Sequence, residues 1–93
     1  MTHQFITDSG HGWLQVPVSA VVDAINDGQG FSSCSYANMK TGYAYLEEDL
    51  DAHTYTQWYK DTHGKPLEYE VQHHDGDCFV RNLPNLIDTR SIR

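Results

Sequence analysis

The apolar positions of this chain change period several times, and each change marks an element. Trp13-Leu14-Gln15-Val16 alternates at period two, which predicts a short strand over residues 11–16 with Leu14 and Val16 on one face and Trp13 on the other. Pro17 follows, at a position suited to the first turn of a helix. Val18, Val21, Val22 and Ile25 then fall at helical spacing and form one apolar stripe, which Asp27-Gly28-Gln29-Gly30 ends, with Gly28 as a left-handed cap. Phe31-Ser32-Ser33-Cys34-Ser35-Tyr36 reads as a second strand and Tyr43-Ala44-Tyr45-Leu46 as a third. The turn composition of residues 38–42 joins these two into a hairpin.

A second helix is expected over residues 50–62. Ala52, Tyr55, Trp58 and Tyr59 form its apolar face, Asp49 or Asp51 caps its start, and Gly64-Lys65-Pro66 stops it. Leu67-Glu68-Tyr69-Glu70-Val71-Gln72-His73 alternates again, and Asp75-Gly76 is a strong two-residue turn signal. If that turn makes a hairpin, Val71 faces Val80, His73 faces Cys78 and Glu70 faces Arg81, with Phe79 the one apolar residue on the charged face. Residues 1–10 read as a loose end or a short edge strand, and residues 82–87 as an irregular but apolar segment. The sum is a single small α+β domain spanning residues 1–93: an antiparallel sheet of about five strands with two helices packed on one face.

A formal charge of −7 argues against binding to a nucleic-acid backbone or an anionic membrane surface, each of which calls for a basic stripe, and it suits a basic protein partner. Residues 1–8 lack a basic region followed by an apolar one, and no apolar run reaches membrane-spanning length. The two cysteines, Cys34 and Cys78, are too few for a disulfide scaffold. The expectation is a cytoplasmic protein with free thiols and no cofactor.

No segment carries a catalytic signature. The serines at 32, 33 and 35 lack a Gly-x-Ser-x-Gly elbow, and Gly28-Gln29-Gly30 lacks the remaining glycines and lysine of a phosphate loop. No local signature surrounds either cysteine, so pairing one with any of six histidines carries little weight. Two clusters remain. Glu47, Glu48, Asp49 and Asp51, next to Tyr43 and Tyr45, form the densest charge of an acidic chain. Such acids are favoured at a helix N-terminus by the macrodipole, and they also suit docking of a basic partner. Metal ligation is the alternative function, at His73, His74, Asp77 and Cys78, but consecutive strand residues point to opposite faces, so only His73 and Cys78 would meet across a hairpin. Lys40, Lys60, Lys65 and Arg81 interrupt the acidity, which places DNA mimicry behind ordinary protein docking.

The ordered set Trp13-Leu14-Gln15-Val16-Pro17, Ser33-Cys34-Ser35-Tyr36, Tyr45-Leu46-Glu47-Glu48-Asp49-Leu50-Asp51 and Phe79-Val80-Arg81-Asn82-Leu83-Pro84 resembles small uncharacterised proteins of bacteriophages and other mobile elements. The resemblance implies an origin and the cytosol of a host cell, and it brings no catalytic residue. The function expected is that of a non-enzymatic accessory protein that binds a protein partner through an acidic and aromatic surface.

Overall fold

The computed structural model describes residues 2–76 and 78–86. Its strands are β1 (His3–Thr7), β2 (Gly12–Pro17), β3 (Tyr36–Asn38), β4 (Tyr43–Glu47) and β5 (Tyr69–His73), and its helices are α1 (Val18–Asn26) and α2 (Asp51–His63). A 3₁₀ turn follows at Phe79–Asn82. The strands form one sheet in the order β3-β4-β2-β1-β5, antiparallel except where β5 lies parallel to β1. This is the expected small α+β domain, with a mixed rather than purely antiparallel sheet.

The alternation along β2 divides the core in two. Leu14 and Val16 pair with Leu46 and Ala44 of β4, and all four lie under α1 and α2 with Val21, Ala24, Phe31, Tyr55 and Trp58. Trp13 points through the opposite face, where Ile6, Tyr45, Cys78 and Val80 close around it. The second layer is therefore made by the chain after residue 77, not by a helix.

Most local expectations hold, and the departures have physical reasons. Pro17 ends β2 and caps α1 from outside, with φ −61° and ψ 140°, and Gly28 bends away at φ 102°. Only Val21 and Ala24 of α1 are buried, while Val22 is 47% exposed, so the apolar stripe is narrower than the valines suggest. In α2, Tyr55 is buried and Tyr59 packs against the core from its margin; Gly64 ends the helix at φ 77°. The hairpin forms between β3 and β4, but its first strand is Tyr36–Asn38, so only Tyr36 of the strand expected over residues 31–36 lies in one. Residues 31–35 form a loop because their polar groups are held by Asp51.

Two expectations are overturned. Residues 3–7 are an interior strand, paired on both sides, not a loose end or an edge. The alternating run at 69–73 is a strand, but its partner is β1, in parallel, and not the segment after Asp75-Gly76. The turn does bend at Gly76, φ 73°, yet it delivers Cys78 and Val80 beneath the second face of the sheet. Burying those side chains removes more apolar surface from water than an exposed hairpin would. The pairs Val71–Val80, His73–Cys78 and Glu70–Arg81 therefore do not form. Phe79, the misfit of that hairpin, lies edge-on to Tyr45 with ring centroids 5.5 Å apart.

Arg81 fastens this segment. Its Nε donates to Asp8 Oδ2 at 2.6 Å and its Nη2 to Oδ1 at 3.0 Å, and its guanidinium lies 5.5 Å from the centre of the Trp13 ring. Asp8 also accepts the backbone N–H groups of Gly10, His11 and Cys78. The Arg81 guanidinium, helped by those N–H groups, holds the Asp8 carboxyl well below the usual carboxylate range. A depressed folded-state value makes this stabilisation full above the unfolded value of 3.8 and erodes it as pH falls further. Urea denaturation at a series of pH values is expected to show wild type more stable than Arg81→Gln at neutral pH, with the gap narrowing below about pH 4. A gap independent of pH would contradict this role for Asp8.

Candidate functional site

The four acids at the start of α2 do not form one surface. β4 ends at Glu47, which is half-buried on the Trp13 side of the sheet and accepts the N–H of Asp49 at 3.1 Å. Glu48 and Asp49 are exposed, and no ion pair joins them to a cation among the described residues. The N–H of Glu48 donates to the carbonyl of Gly12 at 3.0 Å, so the acidic turn is stitched to the start of β2. Gly12 has to lack a side chain: a Cβ there would stand 2.7 Å from the Phe5 ring and 3.1 Å from Glu48 Oε2.

Asp51 has a different fate. It is the first residue of α2, not its cap, since Leu50 occupies the cap position, and it is fully buried. Its Oδ1 accepts the Ser32 N–H at 2.9 Å, and its Oδ2 accepts the Ser32 hydroxyl at 2.7 Å and the Ser35 hydroxyl. The Ser35 oxygen in turn accepts the N–H of Glu47 at 2.9 Å. Asp51 is thus withdrawn from any docking surface and holds the 31–35 loop, β4 and α2 together. Tyr45 is withdrawn as well. It is buried against Phe79, and burial raises its hydroxyl pKa above the ordinary tyrosine value. Of the two tyrosines beside the acids, only Tyr43 is exposed.

The surface beside Glu48 takes its aromatic character from residues outside the acidic segment. A cleft of about 420 Å³ opens between α2 and the β1–β5 side of the sheet. Phe5, Leu14 and Leu67 line its apolar part, Glu48 and Lys60 contribute opposite charges, and Tyr69 is 55% exposed at its rim. The rings of Phe5 and Tyr69 lie 5.6 Å apart. An apolar recess flanked by an exposed carboxylate can hold an apolar anchor and a neighbouring basic group at once. Neither Phe5 nor Tyr69 was marked by the acidic segment. The signal that could have found them is the cross-strand pairing of β1 with β5, which no local pattern encodes.

Glu47 opens onto a separate cleft of about 380 Å³, lined also by His11, Trp13, Cys34, Tyr36 and Arg81. His11 Nδ1 lies 2.9 Å from Arg81 Nη2. A guanidinium only donates, so in this contact the His11 nitrogen is the acceptor. Across the sheet, a cleft of about 540 Å³ beside Trp58 and Tyr59 carries Asp23, Asp27, His3 and His63. The Trp58 indole N–H donates to Asp27 at 2.9 Å, and burial lowers the His3 pKa.

The alternative metal site is not assembled as expected. His73 ends β5, with Nδ1 2.9 Å from the Thr7 hydroxyl, whereas Cys78 is buried on the other side of the sheet with Ile6 and Val80. His74 lies 6.1 Å, ring to ring, from Phe79, and Asp77 falls outside the described residues. Among the described residues no three His, Cys, Asp or Glu side chains converge as a metal would require. Among the described residues no helix is long and apolar enough to cross a membrane.

Comparison of the chain with protein-family models, with curated proteins and with solved structures finds no match.

Two outcomes follow from this geometry. Asp51→Ala strands the buried Ser32 and Ser35 groups and is expected to cost about 3 kcal/mol of stability in chemical denaturation; a cost near zero would show that the network is dispensable. Both thiols are free, Cys34 exposed and Cys78 buried. Thiol titration of the native protein is expected to find one fast group, lost in Cys34→Ser, and a second only after unfolding. Two equally fast groups would contradict the packing around Cys78.

Proposed function

We propose that this chain is a non-enzymatic accessory protein, of the phage or mobile-element kind its motifs resemble, that docks a basic protein partner on the surface around Glu48. The observation that carries the reading is the juxtaposition of Glu48, exposed and without an ion pair among the described residues, with the cleft edged by Phe5 and Tyr69; exposed Asp49 follows it in the chain. The carboxylates steer a basic partner on approach, and the cleft takes an apolar side chain once contact is made. Tyr43, exposed at the opposite end of β4, lies outside this surface. The non-enzymatic part of the reading is supported by how Ser32, Ser35 and Cys78 are used. Ser32 and Ser35 donate their hydroxyl protons to Asp51, and Cys78 is packed in the second core layer.

The test begins with a partner captured from a bacterial lysate on immobilised wild-type protein, followed by measurement of its association and dissociation rates. Glu48→Gln with Asp49→Asn is expected to slow association roughly tenfold at low salt and to flatten its salt dependence, because rim charges act through steering. Tyr69→Ser is expected to speed dissociation by a similar factor. The acid double variant associating at the wild-type rate in low salt would refute the assignment.

A further inference from the structure

We infer that two copies of this chain associate through the free edge of β5, forming a sheet continuous across a two-fold axis. The sheet has two outer strands, and the chain treats them differently. The edge of β3 is covered by the chain's own C-terminal segment: the Ala37 N–H donates to the Pro84 carbonyl at 2.9 Å, the Leu86 N–H to the Ser35 carbonyl at 2.8 Å, and Tyr36 bridges to Asn85. The edge of β5 has no such cover among the described residues, and all five of its residues are exposed. Proteins blunt open edges with lysine, proline, bulges or very short strands. Neither lysine nor proline interrupts Tyr69-Glu70-Val71-Gln72-His73, Pro66 lies before the strand begins, and the strand's one acidic side chain is Glu70.

The ladder to β1 fixes which backbone groups are free. The His3 N–H donates to the Glu68 carbonyl and the His74 N–H to the Thr7 carbonyl, so the even-numbered residues of this segment face β1. Backbone groups alternate along a strand. The N–H and C=O groups of Tyr69, Val71 and His73 therefore point away from the sheet, toward whatever lies beyond it.

A second β5 fits this edge in an antiparallel register centred on Val71. With the two-fold axis at Val71, Val71 meets Val71 of the second copy and Tyr69 meets His73, each pair joining residues whose N–H and C=O already face outward. The intervening pair is Glu70 with Gln72, and beyond the strand Glu68 opposes His74. No like charges stand opposite one another, although the chain carries a charge of −7 and its β5 segment two glutamates. The pairing also brings the exposed Tyr69 and Val71, 55% and 59% accessible, into cross-strand contact on one face of the joined sheet. An unrelated strand would have to supply this complementarity by chance; a second copy carries it in its own sequence.

The test is the mass of the untagged full chain by sedimentation from low micromolar to about millimolar concentration, a range suited to a small, polar interface. Wild type is expected to move from the monomer mass toward twice that value. Val71→Pro removes an outward-facing N–H without touching the ladder to β1, so it is expected to stay monomeric with an unchanged circular-dichroism spectrum. Val71→Lys places two like charges face to face at the axis and is expected to weaken association at least tenfold; it decides the matter if the proline variant folds poorly. A wild-type mass that remains monomeric throughout, or a Val71→Lys variant that dimerises as wild type does, would overturn the inference. This readout needs no partner protein, so it stands or falls separately from docking around Glu48.

Discussion

The fold depends on one buried carboxylate. Asp51 sits at the junction of β4 and α2, and three groups of the 31–35 loop converge on it. A buried charge is tolerable only when its lone pairs are filled, and here two serines and a backbone N–H fill them. The helix start adds its own positive potential at the same point. Phe31 is packed into the core beside the tethered loop. The polar network and the apolar core therefore specify the same geometry from two directions: the serines position the loop, and the loop positions a core ring.

What was legible in the sequence was what short-range periodicity encodes. α2 was readable because Ala52, Tyr55 and Trp58 are spaced for one face and Gly64-Lys65-Pro66 ends the helix within a few residues. β2 was readable because its two faces meet different layers. β1 was not, because Phe5 meets the helical side and Ile6 the other, so adjacent positions are both apolar and the alternation disappears. β5 was legible as a strand but not as a parallel neighbour of β1. Its pairing is set by a distant segment, and the local Asp-Gly signal pointed to a hairpin that the burial of Val80 outweighs.

The candidate site shows the same boundary. Composition located the acidic turn correctly but could not sort its members. Asp49 and Asp51 are chemically identical and two positions apart, yet one is exposed and the other fully buried. The deciding partners, Ser32 and Ser35, lie in a run whose pattern suggested a strand. Asp8 was hidden in a segment that looked loose, and its guanidinium partner was assigned to Glu70. In each case the missing information was long-range, between residues many positions apart, and carried by hydrogen bonding rather than by hydrophobic spacing.

The parallel pairing of β1 with β5 has a consequence for how the chain is made. Residues 3–7 leave the ribosome well before residues 69–73, their partner on one side. β1 can pair early with β2, while its other edge stays open until residues 69–73 have been synthesised. Distant pairings of this kind are slow to close because they require a large loop to be ordered first. During that interval Phe5 and Ile6 lie on an incomplete sheet, and a nascent chain in this condition is exposed to mispairing with its neighbours on the same message. The arrangement that gives the finished protein its interior strand thus leaves that strand half-paired while the chain is growing.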